Sequence, residues 1–262
     1  RNFGNVLHMA LEYLYQDAVD QKPNRLVEAN DFFKVRNSVD GAIEKAFRKH
    51  FGMGEKRKFE LKGRNIVMAD LIRKFIHKII DMDEAYAPFT IISLEKEDKY
   101  ERTFAISQSE STYQVRLGAD IDRVDMKDGS VRVNDYKSGK DAREIDQIEK
   151  LFDTTPGTTW KKGRNKAGFQ TMLYAWLYAA KHGESHAIVP GLMNMQELFQ
   201  EDFDYRLTMN NSPLSDARPH LSYFESKLEE LLKEIYDAEV PFDQTEDDRV
   251  CTFCDFKGIC GR

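Results

Sequence analysis

Cysteine is scarce in this chain of 262 residues. There are three in all, Cys251, Cys254 and Cys260, and every one lies in the last dozen positions. An odd number of thiols crowded into one tail provides no disulfide framework, so the fold has to rest on its core. Long apolar runs are missing, which excludes a membrane-spanning helix, and nothing resembles a secretory signal. We therefore expect a cytoplasmic protein with no membrane partner. No Walker A pattern G-x-x-x-x-G-K-[ST] occurs, so a nucleotide-driven motor would lie elsewhere. The initiator methionine is missing too: the chain opens Arg1-Asn2-Phe3 and is expected to be part of a longer polypeptide. An excess of positive charge is also lacking. With 39 Lys and Arg against 45 Asp and Glu the net charge is −6, which taken alone argues against a nucleic-acid binder.

The charge that is present is unevenly spread. Residues 1–80 hold 16 Lys and Arg against 10 Asp and Glu, a local +6, so the remainder carries −12. The basic excess peaks at Arg48, Lys49, Lys56, Arg57, Lys58, Lys62 and Arg64, and a second knot is formed by Lys161, Lys162, Arg164 and Lys166. Such clusters are commonly solvated helix faces. They also suit phosphates, because screening confines the distant acidic charge to within about 8–10 Å.

Hydrophobic periodicity divides the chain. Residues 3–20 carry Val6, Leu7, Ala10, Leu11 and Leu14 on one helical stripe, and 38–51 and 64–86 repeat the pattern. From Pro88 the period changes to two. Residues 89–94 and 100–107 read as strands joined by the charged turn EKEDK, and 113–125 and 130–137 as strands around the turn Lys127-Asp128-Gly129. A polar loop over 138–167, a helix over 169–182, a short strand over 187–192, a further strand at 205–209 and a helix over 221–238 complete the pattern. The order predicts an α/β or α+β fold with a mixed central sheet flanked by helices. We expect one domain, with a helical N-terminal part (1–87), a catalytic core (88–200), a C-terminal helical part (201–250) and a cysteine tail (251–262).

The most informative residues lie on the second pair of strands. Alternation puts Val131, Val133, Asp135 and Lys137 on one face, with the polar pair at the strand end. Hairpin pairing can bring Asp122 beside Asp135. Two adjacent carboxylates repel unless a cation sits between them, and hard oxygen ligands favour Mg²⁺ or Mn²⁺. Lys137, next along the same face, would orient an attacking water and stabilise negative charge developing at phosphorus. The competing explanation of an isolated Asp-x-Lys is an exposed salt bridge at a hairpin end.

The surroundings of this pair resemble a known family. Asp122…Asp135-Tyr136-Lys137 is similar to the D…(D/E)-x-K signature of the PD-(D/E)xK nuclease superfamily. The flanking IDRVD and NDYKSGK resemble its RecB/AddB-type exonuclease branch. Phe3-Gly4-Asn5-Val6-Leu7-His8 resembles that branch's first motif, Gln170-Thr171-Met172-Leu173-Tyr174 its Q-x-x-x-Y helix, and the terminal cysteines its iron–sulfur staple. The resemblance implies a restriction-endonuclease-like core. It implies a metal held by His8, Asp122, Asp135 and the carbonyl of Tyr136, Lys137 as the catalytic lysine, and Gln170 and Tyr174 lining the cleft. It also implies a metal-dependent deoxyribonuclease of DNA recombination and repair, an exonuclease working with a helicase. One departure is visible: the family's glycine three residues before the first Asp is Ala119 here, with Gly118 displaced by one. His8 alone would pass for an ordinary helical histidine, and Gln170 and Tyr174 for ordinary helix residues. Glu12, one turn beyond His8, is either its hydrogen-bond partner or solvent-exposed.

Cys251-x₂-Cys254-x₅-Cys260 suits thiolate ligation, but zinc and [4Fe–4S] sites normally take four ligands. The resemblance implies that the fourth cysteine precedes the Phe3–His8 motif in a longer chain, which would carry the [4Fe–4S] cluster while this one lacks it or holds it poorly. Free thiols, or zinc with a borrowed ligand, are the other states open to the tail. The rival functional readings are a catalytically silent nuclease fold that binds DNA or tethers a partner, and a zinc-ribbon interaction protein.

Overall fold

The apolar stripe of the first segment is the buried face of helix α1 (Asn2–Val19), where Val6, Leu7, Ala10, Leu11, Leu14 and Tyr15 are removed from solvent. The structure is a computed structural model and describes residues 2–54, 59–108, 111–153, 165–241, 244–245, 248–252 and 254–262. A two-residue strand β1 (Leu26–Val27) comes after α1, then α2 (Phe32–His50) and α3 (Arg64–Tyr86). Helix α2 begins six residues before the expected 38, because Phe32 and Val35 extend its buried face.

Strand β2 (Phe89–Leu94) ends in a short 3-10 turn at Glu95–Glu97 and is followed by β3 (Tyr100–Gln108). The two do not form a hairpin with each other. β3 pairs instead with β4 (Ser111–Ala119) as a separate two-stranded ribbon, and β2 joins the main sheet. The stretch 113–125, expected as one strand, breaks at Asp120–Asp122 into β4 and β5 (Arg123–Lys127). β5 turns back into β6 (Ser130–Lys137) through Asp128 and Gly129, both at positive φ (50° and 73°). A two-residue hairpin loop needs this conformation at both positions to match strand twist.

Beyond β6 come β7 (Glu144–Ile145), α4 (Lys166–His182), β8 (Ala187–Asn194), β9 (Thr208–Met209), β10 (Ser212–Pro213), α5 (Arg218–Tyr236) and the single turn α6 (Asp248–Cys251). The region expected as loop thus contains β7, and the strand expected at 205–209 shrinks to β9. The central sheet runs β1-β2-β5-β6-β8. Its first three junctions are antiparallel and β6·β8 is parallel, with α4 in the crossover between them. Among the described residues no helix is long and apolar enough to cross a membrane.

Each face of this sheet covers its own core. Val131, Val133, Ile188 and Leu192 face α4, α5 and the β3–β4 ribbon, where Trp176 and Phe224 are buried. Ile91, Tyr136 and Met193 face α1, α2 and α3. This second face also carries a buried ionic network. Arg123 donates to Asp83 of α3 (2.6 Å) and to Asp125 (2.8 Å), and Arg132 donates to Asp125 (2.7 Å) across the β5–β6 pair. Tyr15 of α1 donates to Asp83. Fully buried charges are tolerated only when paired and hydrogen-bonded, and here the pairing ties α1 and α3 to the sheet.

Candidate active site

The β5–β6 register sets the centre. Arg123 pairs with Asn134, so Asp122 lies one step beyond, opposite Asp135, where the sheet ends. Asp122 is held from two sides: its Oδ2 accepts the Tyr136 backbone N–H (2.6 Å), and its carbonyl accepts the N–H of Glu95 (3.0 Å). The second bond brings Glu95 to the same end of the sheet, at the finish of β2. His8 reaches this point from α1. Its Nε2 donates to the carbonyl of Tyr136 (2.9 Å), and its Nδ1 lies 3.2 Å from Glu95 and 3.4 Å from Asp122.

Electrostatics follow from the crowding. Burial alone would lower the pKa of His8, but hydrogen bonding to Asp122 and Glu95 outweighs it and raises the value to about 11. The carboxylates call for positive charge at this point, which either the protonated ring or a metal ion bound through the neutral ring would supply. Burial raises Glu95 above the usual carboxylate range, with Asp122 adding to the rise against the opposing pull of His8. Burial and then the charge of Asp122 push Asp135 up to about 7. Glu12 is half-buried, and it is raised by burial and by Glu95. Both ring nitrogens of His8 are engaged elsewhere, so Glu12 is not the partner of His8.

Asp135 is fully buried. Its Oδ1 accepts from Lys137 Nζ (3.1 Å), while its Oδ2 lies 2.9 Å from the same ammonium without hydrogen-bond geometry and has no hydrogen-bond partner. Lys137 also donates to Gln170 Oε1 (2.8 Å), and the amide of Gln170 donates to the hydroxyl of Tyr174 one turn along α4. Helix α4 is fixed at its start by Asn165, which caps it by accepting from Gly168 N (2.8 Å) and donates to the carbonyls of Ala142 and Glu144. The seven residues expected from sequence, His8, Asp122, Asp135, Tyr136, Lys137, Gln170 and Tyr174, are therefore brought to one end of one sheet.

The donor set suits a hard divalent cation. One nitrogen of His8 and one oxygen each of Glu95 and Asp122 lie within 4.8 Å of one another. The orphaned buried oxygen of Asp135 adds a further acceptor, and such mixed carboxylate sites favour Mg²⁺ or Mn²⁺. Glu95 is the residue sequence reasoning missed. It sits inside a charged turn, at positive φ (45°), and the one available signal was its position at the end of a strand leading to the Asp122 end of the sheet.

The model of the PD-(D/E)XK nuclease superfamily matches residues 1–261. The chain belongs to this superfamily. Membership indicates nuclease hydrolase chemistry with a divalent metal, and the mixed sheet with flanking helices is its restriction-endonuclease-like fold. No curated protein sequence matches the chain at a significant level.

The remaining expected residues are placed differently. Lys166 is the exposed first residue of α4, and Lys161, Lys162 and Arg164 lie outside the described residues, as do Lys56, Arg57 and Lys58. Lys62 is exposed and 3.7 Å from Glu60. Cys251, Cys254 and Cys260 are free thiols, partly or fully exposed. Three thiolates are one short of the four ligands that zinc or a [4Fe–4S] cluster normally takes, so a fourth ligand would have to come from elsewhere.

Proposed function

We propose that the chain is a Mg²⁺- or Mn²⁺-dependent deoxyribonuclease in which His8, Glu95, Asp122 and Asp135 hold the metal, with the carbonyl of Tyr136 beside them. The observation that carries this is the convergence of His8, Glu95 and Asp122 within 4.8 Å beside the Asp135–Lys137 pair. When bound, the ion supplies Lewis-acid stabilisation of phosphoryl oxygens and a water of lowered pKa. The residues of the chain do the rest. Lys137 meets the charge that develops on the phosphate, in a site where a preorganised ammonium outperforms solvent. Gln170 accepts one of the lysine protons and so fixes where the ammonium points. Tyr174, buried beside Asp135, holds the amide of Gln170.

The exonuclease mode, a role in recombination and repair, a helicase partner and a [4Fe–4S] cluster in a longer chain are further parts of the proposal. They rest on the resemblance of IDRVD, NDYKSGK and the cysteine spacing to the RecB/AddB-type branch. The silent-module alternative would require loss of a ligand or of the lysine, and both are present. The test is degradation of labelled DNA with Mg²⁺ or Mn²⁺ against a chelator control. Metal-dependent release of nucleotides supports the nuclease, and mononucleotides without internal fragments support the exonuclease mode. Binding of DNA without cleavage in either metal would favour the silent module.

A further inference from the structure

His8, Glu95, Tyr136 and Lys137 line a cleft of about 690 Å³ whose walls carry two further cations outside the proposed metal and catalytic residues. Lys49 enters it from the last turn of α2, and Lys96 from the 3-10 turn directly after Glu95. Both are exposed, and neither ammonium has a hydrogen-bond or ion-pair partner among the described residues. The other lysines nearby are occupied. Lys137 is shared between Asp135 and Gln170, and Lys45 lies over the ring of Tyr13 (4.2 Å).

Glu12 and Glu95 line the cleft beside His8 and Lys137, and the buried carboxylates of Asp122 and Asp135 lie directly behind, so the inner end carries excess negative charge. A polyanion entering it meets repulsion that a metal ion relieves only at the phosphate it contacts. Neighbouring phosphates on the same strand need countercharges of their own, and these must lie on the walls, unpaired and within reach. We propose that Lys49 and Lys96 bind the phosphates flanking the scissile one and so position the strand along the cleft. This deepens the nuclease reading and rests on it. The two lysines act on the substrate backbone, away from the reacting atoms, so they contribute to binding without sequence preference.

The experiment measures binding of a labelled single-stranded oligonucleotide in chelator across a salt series, for the unaltered chain, Lys49→Ala, Lys96→Ala and the double variant. Lys227→Ala, on α5 across the sheet, is the control, and Lys49→Arg and Lys96→Arg test rescue by charge. Loss of one phosphate contact should reduce the slope of log K against log salt by about 0.7, and the double variant by about twice that, with the control unchanged. In Mg²⁺ the alanine variants should raise KM at low salt while kcat stays within about twofold, the pattern of lost uniform binding. The arginine variants should restore both. Slopes and KM indistinguishable from the unaltered chain would overturn the assignment of these lysines even if DNA is cleaved normally. Absence of cleavage by the unaltered chain would instead overturn the nuclease reading, and the salt series would still decide on the lysines.

Discussion

Lys137 donates a 2.8 Å hydrogen bond to Oε1 of Gln170, joining the last residue of β6 to helix α4. The lysine therefore does not rely on Asp135 alone for its position. Gln170 takes one proton of the ammonium, and Tyr174 holds the other end of the amide. Gln170→Ala should lower the rate of DNA hydrolysis by about 10–100-fold, the range for residues that orient a reacting group. Circular dichroism and substrate affinity should stay near those of the parent chain. A rate unchanged by Gln170→Ala would show that Lys137 is positioned without it.

Glu95 gives a prediction that sequence reasoning did not. Its carboxylate lies with His8 and Asp122 at the proposed metal site, so Glu95→Gln should weaken Mn²⁺ binding, measured by calorimetry, by at least about 10-fold. The activity of Glu95→Gln should recover in part at high metal concentration. If the affinity is unchanged, Glu95 is a partner of His8 only and not a ligand.

The ionic network beneath the sheet predicts how stability responds to pH. Burial would raise the Asp83 carboxyl, but Arg123 and Arg132 overcome it and hold the group below its ordinary value of 3.8. A carboxyl with a depressed folded-state pKa contributes stability that is fully present above the unfolded value and is lost as pH falls through the folded one. Asp83→Asn should therefore cost about 3–5 kcal/mol at pH 7, because it leaves buried guanidiniums underpaired. The gap between variant and parent should stay constant down to about pH 5 and narrow below the unfolded carboxylate range near 3.9. Urea unfolding at several pH values measures it, and a gap that widens on acidification would contradict the assignment.

Much of this was legible in the sequence because it follows from periodicity. The stripe of α1, the whole of α3 and the Asp128-Gly129 hairpin each have a local cause, and that hairpin's register alone sets Asp122 opposite Asp135. What was not legible depends on contacts between distant segments. The break at Asp120–Asp122 leaves only a phase slip in the sequence, apolar at odd positions through Ile121 and at even positions from Val124, and that β4 and β5 belong to different sheets is set by distant pairing. Glu95 reads as one charge among several in EKEDK until its N–H is seen bonded to Asp122. Arg123 and Asp125 could be quoted as part of IDRVD, but their work, anchoring α1 and α3 through Asp83, needs a helix forty residues upstream.

The same network bears on the site, because Tyr15 and His8 lie two turns apart on α1. Tyr15 donates to Asp83, so the network fixes the helix that delivers His8 to Asp122. Tyr15→Phe keeps the ring and removes the hydroxyl. It should cost about 1–3 kcal/mol of stability, because it leaves Asp83 without one donor. It should also weaken Mn²⁺ binding measurably without touching any ligand. Unchanged stability and metal affinity would show that α1 is held by packing alone.

The central claim is that Asp135 and Lys137 carry out metal-dependent phosphodiester hydrolysis. The most direct measurement is Mg²⁺-dependent degradation of DNA by Asp135→Ala and Lys137→Ala, with folding verified by thermal unfolding. A rate loss of at least about 10²–10⁴-fold in each, with DNA binding largely retained, is the predicted result. Undiminished cleavage by both variants would contradict the assignment.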